Sequence, residues 1–208
     1  MATGNLNLLG RVVPWSLIVL RVLLCPLIVT GARYSWPGIW LALIVLVALV
    51  SDIYDGVLAR KWGSETPALR VSDSIADTIF YLGVVAALWL QKPDAIRDNK
   101  YWFAALFGLE GFRYIFDFIK YRKTASYHSY LAKFWGLVLA VAMIGVFAFT
   151  GGVTIVRIAL VVGVAVNLEG LTMSLMLPCW KNDVKTLGVA WRLRRTMLEE
   201  PASAIIAE

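Results

Sequence analysis

Long apolar runs dominate this chain and restrict its fold more than any other feature. Of its 208 residues 60% are hydrophobic and 16% are charged, and the charges cluster in short stretches between the runs. A bilayer-spanning helix needs about 20 predominantly apolar residues, whereas a transmembrane β-strand alternates in polarity from one residue to the next. Because the runs are continuous, we predict an all-α, polytopic membrane protein.

Six segments are long and apolar enough to be predicted spans. We expect one domain over residues 1–208, with an interfacial segment over about 1–12 and a cytoplasmic tail over about 180–208. The predicted spans are Val13–Thr30, Ile39–Ala59, Asp73–Leu90, Tyr101–Ile119, Leu131–Thr150 and Val153–Leu177.

The distribution of basic residues predicts how the bundle is oriented. Most of them lie in alternate loops and in the C-terminal tail, so the positive-inside rule places both termini in the cytoplasm. The third loop, with Lys92, Arg97 and Lys100, argues the other way. The net charge of +6 accompanies no polar domain, which favours anionic lipid headgroups over nucleic acid as the partner. The basic residues that favour the cytoplasmic side are Arg60, Lys61, Arg70, Lys120, Arg122, Lys123, Lys181, Lys185, Arg192, Arg194 and Arg195.

Four aspartates lie at the facing ends of the second and third predicted spans. Asp52 and Asp55 are three residues apart, and Asp73 and Asp77 are four apart, so each pair shares one face of a helix. A short loop joins the two helices, which places both pairs at the same membrane depth. Four carboxylates in a medium of low dielectric constant repel one another unless cations neutralise them. Mg²⁺ or Mn²⁺ with oxygen ligands is the expected solution.

The residues around these aspartates form a longer pattern. The segment from Asp52 to Asp77 resembles the signature D-x2-D-G-x2-A-R-x8-G-x3-D-x3-D of the CDP-alcohol phosphatidyltransferase family, with correct spacing throughout. Upstream, Pro14, Arg21 and Pro26 match the spacing with which that family enters its first helix. One fixed position differs, because Leu69 stands where the family has its second glycine. A leucine there is expected to crowd a nucleotide pocket that glycine would leave open.

The resemblance implies an enzyme of phospholipid biosynthesis. Its donor would be CDP-diacylglycerol or a similar CDP-linked molecule, and its acceptor a small alcohol, with release of CMP. By resemblance, Asp52, Asp55 and Asp73 would ligate two Mg²⁺ or Mn²⁺ ions, and Asp77 would combine ligation with base catalysis. We expect the active site to face the cytoplasm at a bacterial inner membrane, and we leave a homodimer open.

Nucleotide binding is assigned to residues within and beside the motif, namely Asp52, Gly56, Ala59, Arg60 and Thr66. Gly56 and Ala59 share a face with Asp52, and their small side chains leave room for a nucleotide. Arg60 lies one turn after Gly56 and can either hold a phosphate or support the carboxylates. Thr66, at a position where the family often has Thr or Ser, completes this set. For Gly56 and Ala59 taken singly, close helix packing in the membrane is an equally good interpretation.

A second group of charges lies on the fourth predicted span. Glu110, Arg113 and Asp117 are spaced to line one helix face, where they form either a salt-bridged seam or part of an acceptor site. In the second interpretation Arg113, with Lys123 and Lys133, binds an anionic acceptor. A phosphorylated acceptor is therefore favoured, with glycerol 3-phosphate as the first choice.

Two other functions remain open on the sequence alone. A small cation or metabolite transporter could use the same intramembrane carboxylates, although it leaves the spacing of Gly56, Ala59 and Arg60 unexplained. A catalytically silent scaffold rests only on Leu69. The donor and acceptor could also be exchanged, with a CDP-linked headgroup and a diacylglycerol.

Arg21 lies deep in the first span and needs a partner, for which the acidic residues are candidates.

Overall fold

The computed structural model describes residues 2–123, 127, 129–149, 152–181 and 183–199. All regular secondary structure in these residues is helical, which confirms the all-α prediction. Helix α4 is a short helix that the sequence analysis did not predict, and α1 runs without a break through the predicted interfacial segment. The helices are α1 Ala2–Arg33, α2 Gly38–Lys61, α3 Pro67–Gln91, α4 Pro93–Arg97, α5 Lys100–Tyr121, α6 Tyr130–Ala148, α7 Val153–Met176 and α8 Leu187–Glu199.

Within the described residues, five helices are long and apolar enough to cross a membrane. They are α2, α3, α6, α7 and the Val12–Arg33 part of α1. Helix α5 has 22 residues, enough to reach across a hydrocarbon core at about 1.5 Å per residue. It differs from the others because it carries Glu110, Arg113 and Asp117 between its middle and its last turn. The chain is an integral membrane protein with five candidate spans in the part that the structure describes, whereas a sixth span and cytoplasmic termini stay predictions.

Helix α3 begins earlier than the apolar pattern predicted. Thr66 has an extended backbone, with φ −131° and ψ 154°, and its Oγ1 accepts a hydrogen bond from the Leu69 N–H at 3.1 Å. Pro67 follows at the first helical position, where its missing N–H is not needed. This N-terminal cap extends the helix by six residues ahead of Asp73. Leu69 therefore lies in the first turn of α3 and not in a loop.

The chain forms two compact units. The first contains α1 to α4, the end of α6 and the start of α7. In it α1 packs against both α2 and α3. Gly83 of α3 allows a close approach, because a Cβ there would lie 2.6 Å from the Cys25 Sγ of α1. Gln91 Nε2 at the end of α3 donates to the Trp36 carbonyl in the α1–α2 turn, at 2.8 Å.

The second unit contains α5, the beginning of α6, most of α7, and α8. Arg157 Nε, near the start of α7, donates to Asn99 Oδ1 at 3.0 Å, just before α5. At the other end of both helices, Lys120 Nζ and the Tyr121 hydroxyl each donate to the Leu177 carbonyl at 2.8 Å. These contacts join α5 and α7 at matching ends, so the two helices run parallel.

Candidate active site

Four carboxylates of the first unit surround a single guanidinium. Arg21 Nη1 donates to Asp73 Oδ1 at 2.8 Å and also to Asp77 Oδ1. The same nitrogen lies 3.3 Å from Asp52 Oδ1, and Nη2 donates to Asp55 Oδ2. Three helices thus contribute to one cluster, with Arg21 from α1, one aspartate pair from α2 and the other pair from α3.

The cluster follows from the local spacing of the sequence. Residues three and four apart lie on one side of an α-helix, so both members of each pair reach the same point. The structure therefore confirms that the two pairs converge. An acidic partner for Arg21 was expected from the sequence, but Arg21 was not among the predicted site residues. The depth of an arginine inside a long apolar run was the available signal.

Burial divides the cluster into a closed side and an open side. The side chains of Arg21 and Asp55 are only 1% and 6% exposed, whereas those of Asp52 and Asp77 are 41% and 37% exposed. The guanidinium and Asp55 form the interior of the cluster. Asp52, Asp73 and Asp77 present oxygens that a ligand can reach.

The aspartates also fit a divalent metal ion. Asp52, Asp55 and Asp73 each offer one carboxylate oxygen, and these three atoms lie within 4.8 Å of one another. Carboxylate oxygens are hard ligands of the kind that Mg²⁺ and Mn²⁺ prefer. A single guanidinium does not neutralise four carboxylates, so the cluster can accept further positive charge. Asp77 lies outside this group of three.

The residues assigned to nucleotide binding follow along α2 and into α3. Gly56 lies one turn before Arg60, and a Cβ at Gly56 would be 3.4 Å from Arg60 Nη1, so this guanidinium lies over the glycine. Arg60 and Thr66 are exposed. Thr66 Oγ1 accepts the Leu69 N–H and keeps its own hydroxyl hydrogen available for donation.

Ala59 and Leu69 lie in the packed interior of the first unit. They form a buried cluster with Ile18 of α1 and Ala76 of α3, and are 2% and 7% exposed. The small side chain of Ala59 thus serves close packing between helices. The side chain of Leu69 fills the space between α1, α2 and α3, and the expectation that it crowds a nucleotide pocket stays a prediction.

We predict that Leu69→Gly destabilises the protein although it restores the family's glycine. Truncating a buried leucine typically costs about 2–5 kcal/mol, and glycine in a helix costs about 1 kcal/mol more than alanine. Thermal unfolding in detergent should show the loss, with Leu69→Ala giving a smaller one. Titration with CDP in the presence of Mg²⁺ should give nearly the same affinity for both variants and the parent. A large gain in CDP affinity in Leu69→Gly would show that the leucine blocks a nucleotide pocket after all.

The residues predicted to bind the acceptor all belong to the second unit. The Arg113 guanidinium packs against α7 at Gly170, where a Cβ would lie 2.5 Å from Nη1. Lys123 Nζ lies 5.0 Å from the centre of the Trp180 ring, in a cation–π contact. Lys133 lies in the first turn of α6 and is exposed. Their role in binding an acceptor stays a prediction.

The salt-bridged seam on α5 is not found in the described part of the chain. Asp117 is fully buried, and within the described residues neither of its carboxylate oxygens has a hydrogen-bond partner. Arg113 Nε is also buried there without a partner.

In the same unit, Glu169 Oε2 accepts from the Ser129 hydroxyl at 2.7 Å. Burial raises the pKa of the nearby Tyr127, whose hydroxyl forms a 2.8 Å hydrogen bond with Ser174 Oγ.

Fold and site together define an integral membrane protein with an acidic cluster inside its apolar helices. The chain belongs to the CDP-alcohol phosphatidyltransferase family, whose sequence model matches residues 11–169. It is similar to the CDP-diacylglycerol–glycerol-3-phosphate 3-phosphatidyltransferases of Salmonella typhimurium (strain LT2) and Escherichia coli (strain K12), with 33% and 36% identity over 69 residues. That stretch covers 32% of this chain and 38% of each relative. No solved structure gives a significant match.

Proposed function

We propose that this protein transfers a phosphatidyl group from CDP-diacylglycerol to the hydroxyl of a small alcohol, with release of CMP. The observation that carries the proposal is the meeting of Asp52, Asp55, Asp73 and Asp77 at one point. Membership in the CDP-alcohol phosphatidyltransferase family supports the reaction class, and the two bacterial relatives support glycerol 3-phosphate as the acceptor.

In this proposal the carboxylates of Asp52, Asp55 and Asp73 hold divalent metal, expected to be two Mg²⁺ or Mn²⁺ ions. Bound metal would offset the negative charge of the donor's pyrophosphate. Arg60, Gly56 and Thr66 border the nucleotide, with Arg60 paired to a phosphate and Thr66 donating its hydroxyl hydrogen. Ala59 contributes by keeping α2 close to its neighbours.

Asp77 is the proposed general base. Its carboxylate is 37% exposed, so an acceptor hydroxyl can approach it, whereas the buried Asp55 is closed to such an approach. Asp77 accepts the hydroxyl proton, and the oxygen attacks the phosphorus on the lipid side of the pyrophosphate. The bond to CMP then breaks, and CMP leaves with the bridging oxygen.

Arg113, Lys123 and Lys133 are proposed to bind the phosphate of the acceptor, since guanidinium and ammonium groups are the usual phosphate-binding side chains. We further propose six spans, both termini and the active site on the cytoplasmic side of a bacterial inner membrane, and a homodimer as the assembly to test.

Incubation of the purified protein with CDP-diacylglycerol and a panel of labelled alcohols tests the function. The panel should contain glycerol 3-phosphate, inositol, inositol phosphate and serine, and the readouts are CMP release and the labelled lipid. We expect glycerol 3-phosphate to give both products. Cation uptake into proteoliposomes, with no CMP from any acceptor, would favour the transporter instead. A CDP-linked aminoalcohol with diacylglycerol tests the exchanged arrangement of donor and acceptor.

Removing divalent metal should abolish turnover, because one guanidinium leaves the four carboxylates without enough positive charge to hold a pyrophosphate. Protein treated with EDTA and desalted should release no CMP, and Mg²⁺ or Mn²⁺ should restore the release whereas Na⁺ should not. Full turnover in excess EDTA would overturn the metal-dependent mechanism.

A further inference from the structure

Helix α8 has one face packed against the second unit. Val189, Ala190, Leu193 and Met197 contact an apolar cluster that includes Met173 and Leu177 at the end of α7. This contact accounts for the inward face of α8, and the remaining residues of the helix point elsewhere.

The outward side of α8 carries a second apolar surface, which we call the α8 stripe. It consists of Leu187, Trp191 and Leu198, whose side chains are 39%, 57% and 67% exposed. At 100° per residue, positions 187, 191 and 198 fall within about 40° of one another on the helix. Three large apolar side chains thus form one line on a helix outside the candidate spans.

Arginines flank this stripe on both sides. On the same helical projection Arg194 lies about 40° to one side of the stripe's centre and Arg195 about 60° to the other. Arg192 lies about 120° away and Thr196 on the far side, and both are exposed. An apolar line bordered by arginines is typical of a helix that lies in the headgroup region of a bilayer. Its apolar side chains enter the acyl boundary, and its guanidiniums pair with lipid phosphates.

The place of α8 in the unit agrees with this pattern. The residues before it are attached to the start of α6, where the Tyr130 N–H donates to the Lys185 carbonyl at 3.2 Å. Its inward face contacts the end of α7. Both α6 and α7 are candidate spans, so α8 lies at the level where two spans leave the membrane. Lys181 and Lys185 add exposed positive charge beside it.

We propose that α8 is a membrane-surface helix whose stripe inserts into the headgroup region and whose arginines bind anionic phospholipid. The occupant is a lipid surface, for two reasons. The spans beside α8 already require a bilayer at this level, and the arginines complement phospholipid phosphates. This inference concerns the second unit and does not depend on the catalytic function proposed for the first.

Spin labels on α8 test the insertion in the full-length protein. Cys25 and Cys179 are unpaired, so both are first replaced by alanine. Leu198→Cys then places a nitroxide on the stripe, and Thr196→Cys places a matched nitroxide on the opposite side. The protein is reconstituted in nanodiscs of equimolar phosphatidylcholine and phosphatidylglycerol. Collisions with oxygen, which concentrates in bilayers, are compared with collisions with a water-soluble nickel chelate.

We expect the ratio of oxygen to chelate collisions to be severalfold higher at 198 than at 196. Equal, water-like ratios at both positions would overturn the proposal. So would a label at 198 that neither oxygen nor chelate reaches, because that result would mean that protein, such as a second copy of the chain, covers the stripe.

The arginines are tested at the same reporter position by changing lipid and charge. The collision ratio at 198 should be higher in the phosphatidylglycerol mixture than in phosphatidylcholine alone. Arg194→Gln with Arg195→Gln should remove this difference, since each arginine near an anionic surface shifts the insertion equilibrium by about fivefold. Arg192→Gln, the control farther from the stripe, should retain most of it. Equal ratios in both lipids without these substitutions would overturn the anionic preference.

Discussion

Asp77→Asn should lower turnover by about 10²–10⁴-fold, the usual cost of losing a general base. Asparagine has nearly the same shape but does not accept the proton of the acceptor hydroxyl. Asp77 lies outside the group of three carboxylates that could hold a metal ion, so CDP binding with Mg²⁺ should be largely retained. The measurements are the rate of CMP release at saturating substrates and calorimetric titration with CDP.

Two matched substitutions control this experiment. Asp52→Asn should weaken metal and donor binding as well as turnover, because Asp52 belongs to the group of three. Asp94→Asn changes an aspartate that is 80% exposed and should leave both measurements unaltered. Near-normal turnover in Asp77→Asn would move the base elsewhere, and His128, which lies outside the described residues, would be tested next.

Arg21→Gln should be among the most destabilising single substitutions in the first unit. It removes the only group that contacts all four carboxylates within the described residues, and leaving buried charge unpaired costs about 3–5 kcal/mol. Divalent cations should restore part of the lost stability, because they would neutralise the four carboxylates in place of the guanidinium. Thermal unfolding with and without Mg²⁺ is the measurement, and the Mg²⁺-dependent rise in Tm should be larger in Arg21→Gln than in the parent.

Two further variants separate charge from geometry. Arg33→Gln removes the same charge from the exposed end of α1 and should change neither Tm nor its response to Mg²⁺. Arg21→Lys keeps the charge but loses the planar fork that reaches Asp55 with one nitrogen and three other aspartates with the second, so it should recover only part of the stability. An Arg21→Gln protein as stable as the parent without Mg²⁺ would contradict this account.

The acidic cluster was predictable because helical periodicity depends on local spacing alone. Asp52 with Asp55, and Asp73 with Asp77, must share a helix face wherever those helices form. The short connection then brings the pairs to one membrane depth. Thr66 and Pro67 form an N-terminal cap that the local sequence also predicts. The predicted start of α3 relied on the apolar pattern, which begins later along the chain, and was therefore too late.

Leu69 shows that the identity of one residue does not reveal where its side chain points. Its identity can be compared with a family signature, but the direction of its side chain depends on which helices surround α3. In the structure it faces Ile18 and Ala76, and Ala59 joins the same cluster. In this chain the leucine therefore contributes to helix packing, which its identity alone did not reveal.

By itself the sequence determined the apolar helices, the two aspartate pairs and the family, because each depends on composition or on spacing within a few turns. Only the tertiary structure decided that Arg21 stands at the centre of the cluster, since it lies more than thirty residues from Asp52, its nearest acidic partner along the chain. It also decided that α8 packs one face inward and exposes a second apolar line. The reason is the same in both cases: contacts between distant segments depend on how whole helices pack, and no local spacing encodes that choice.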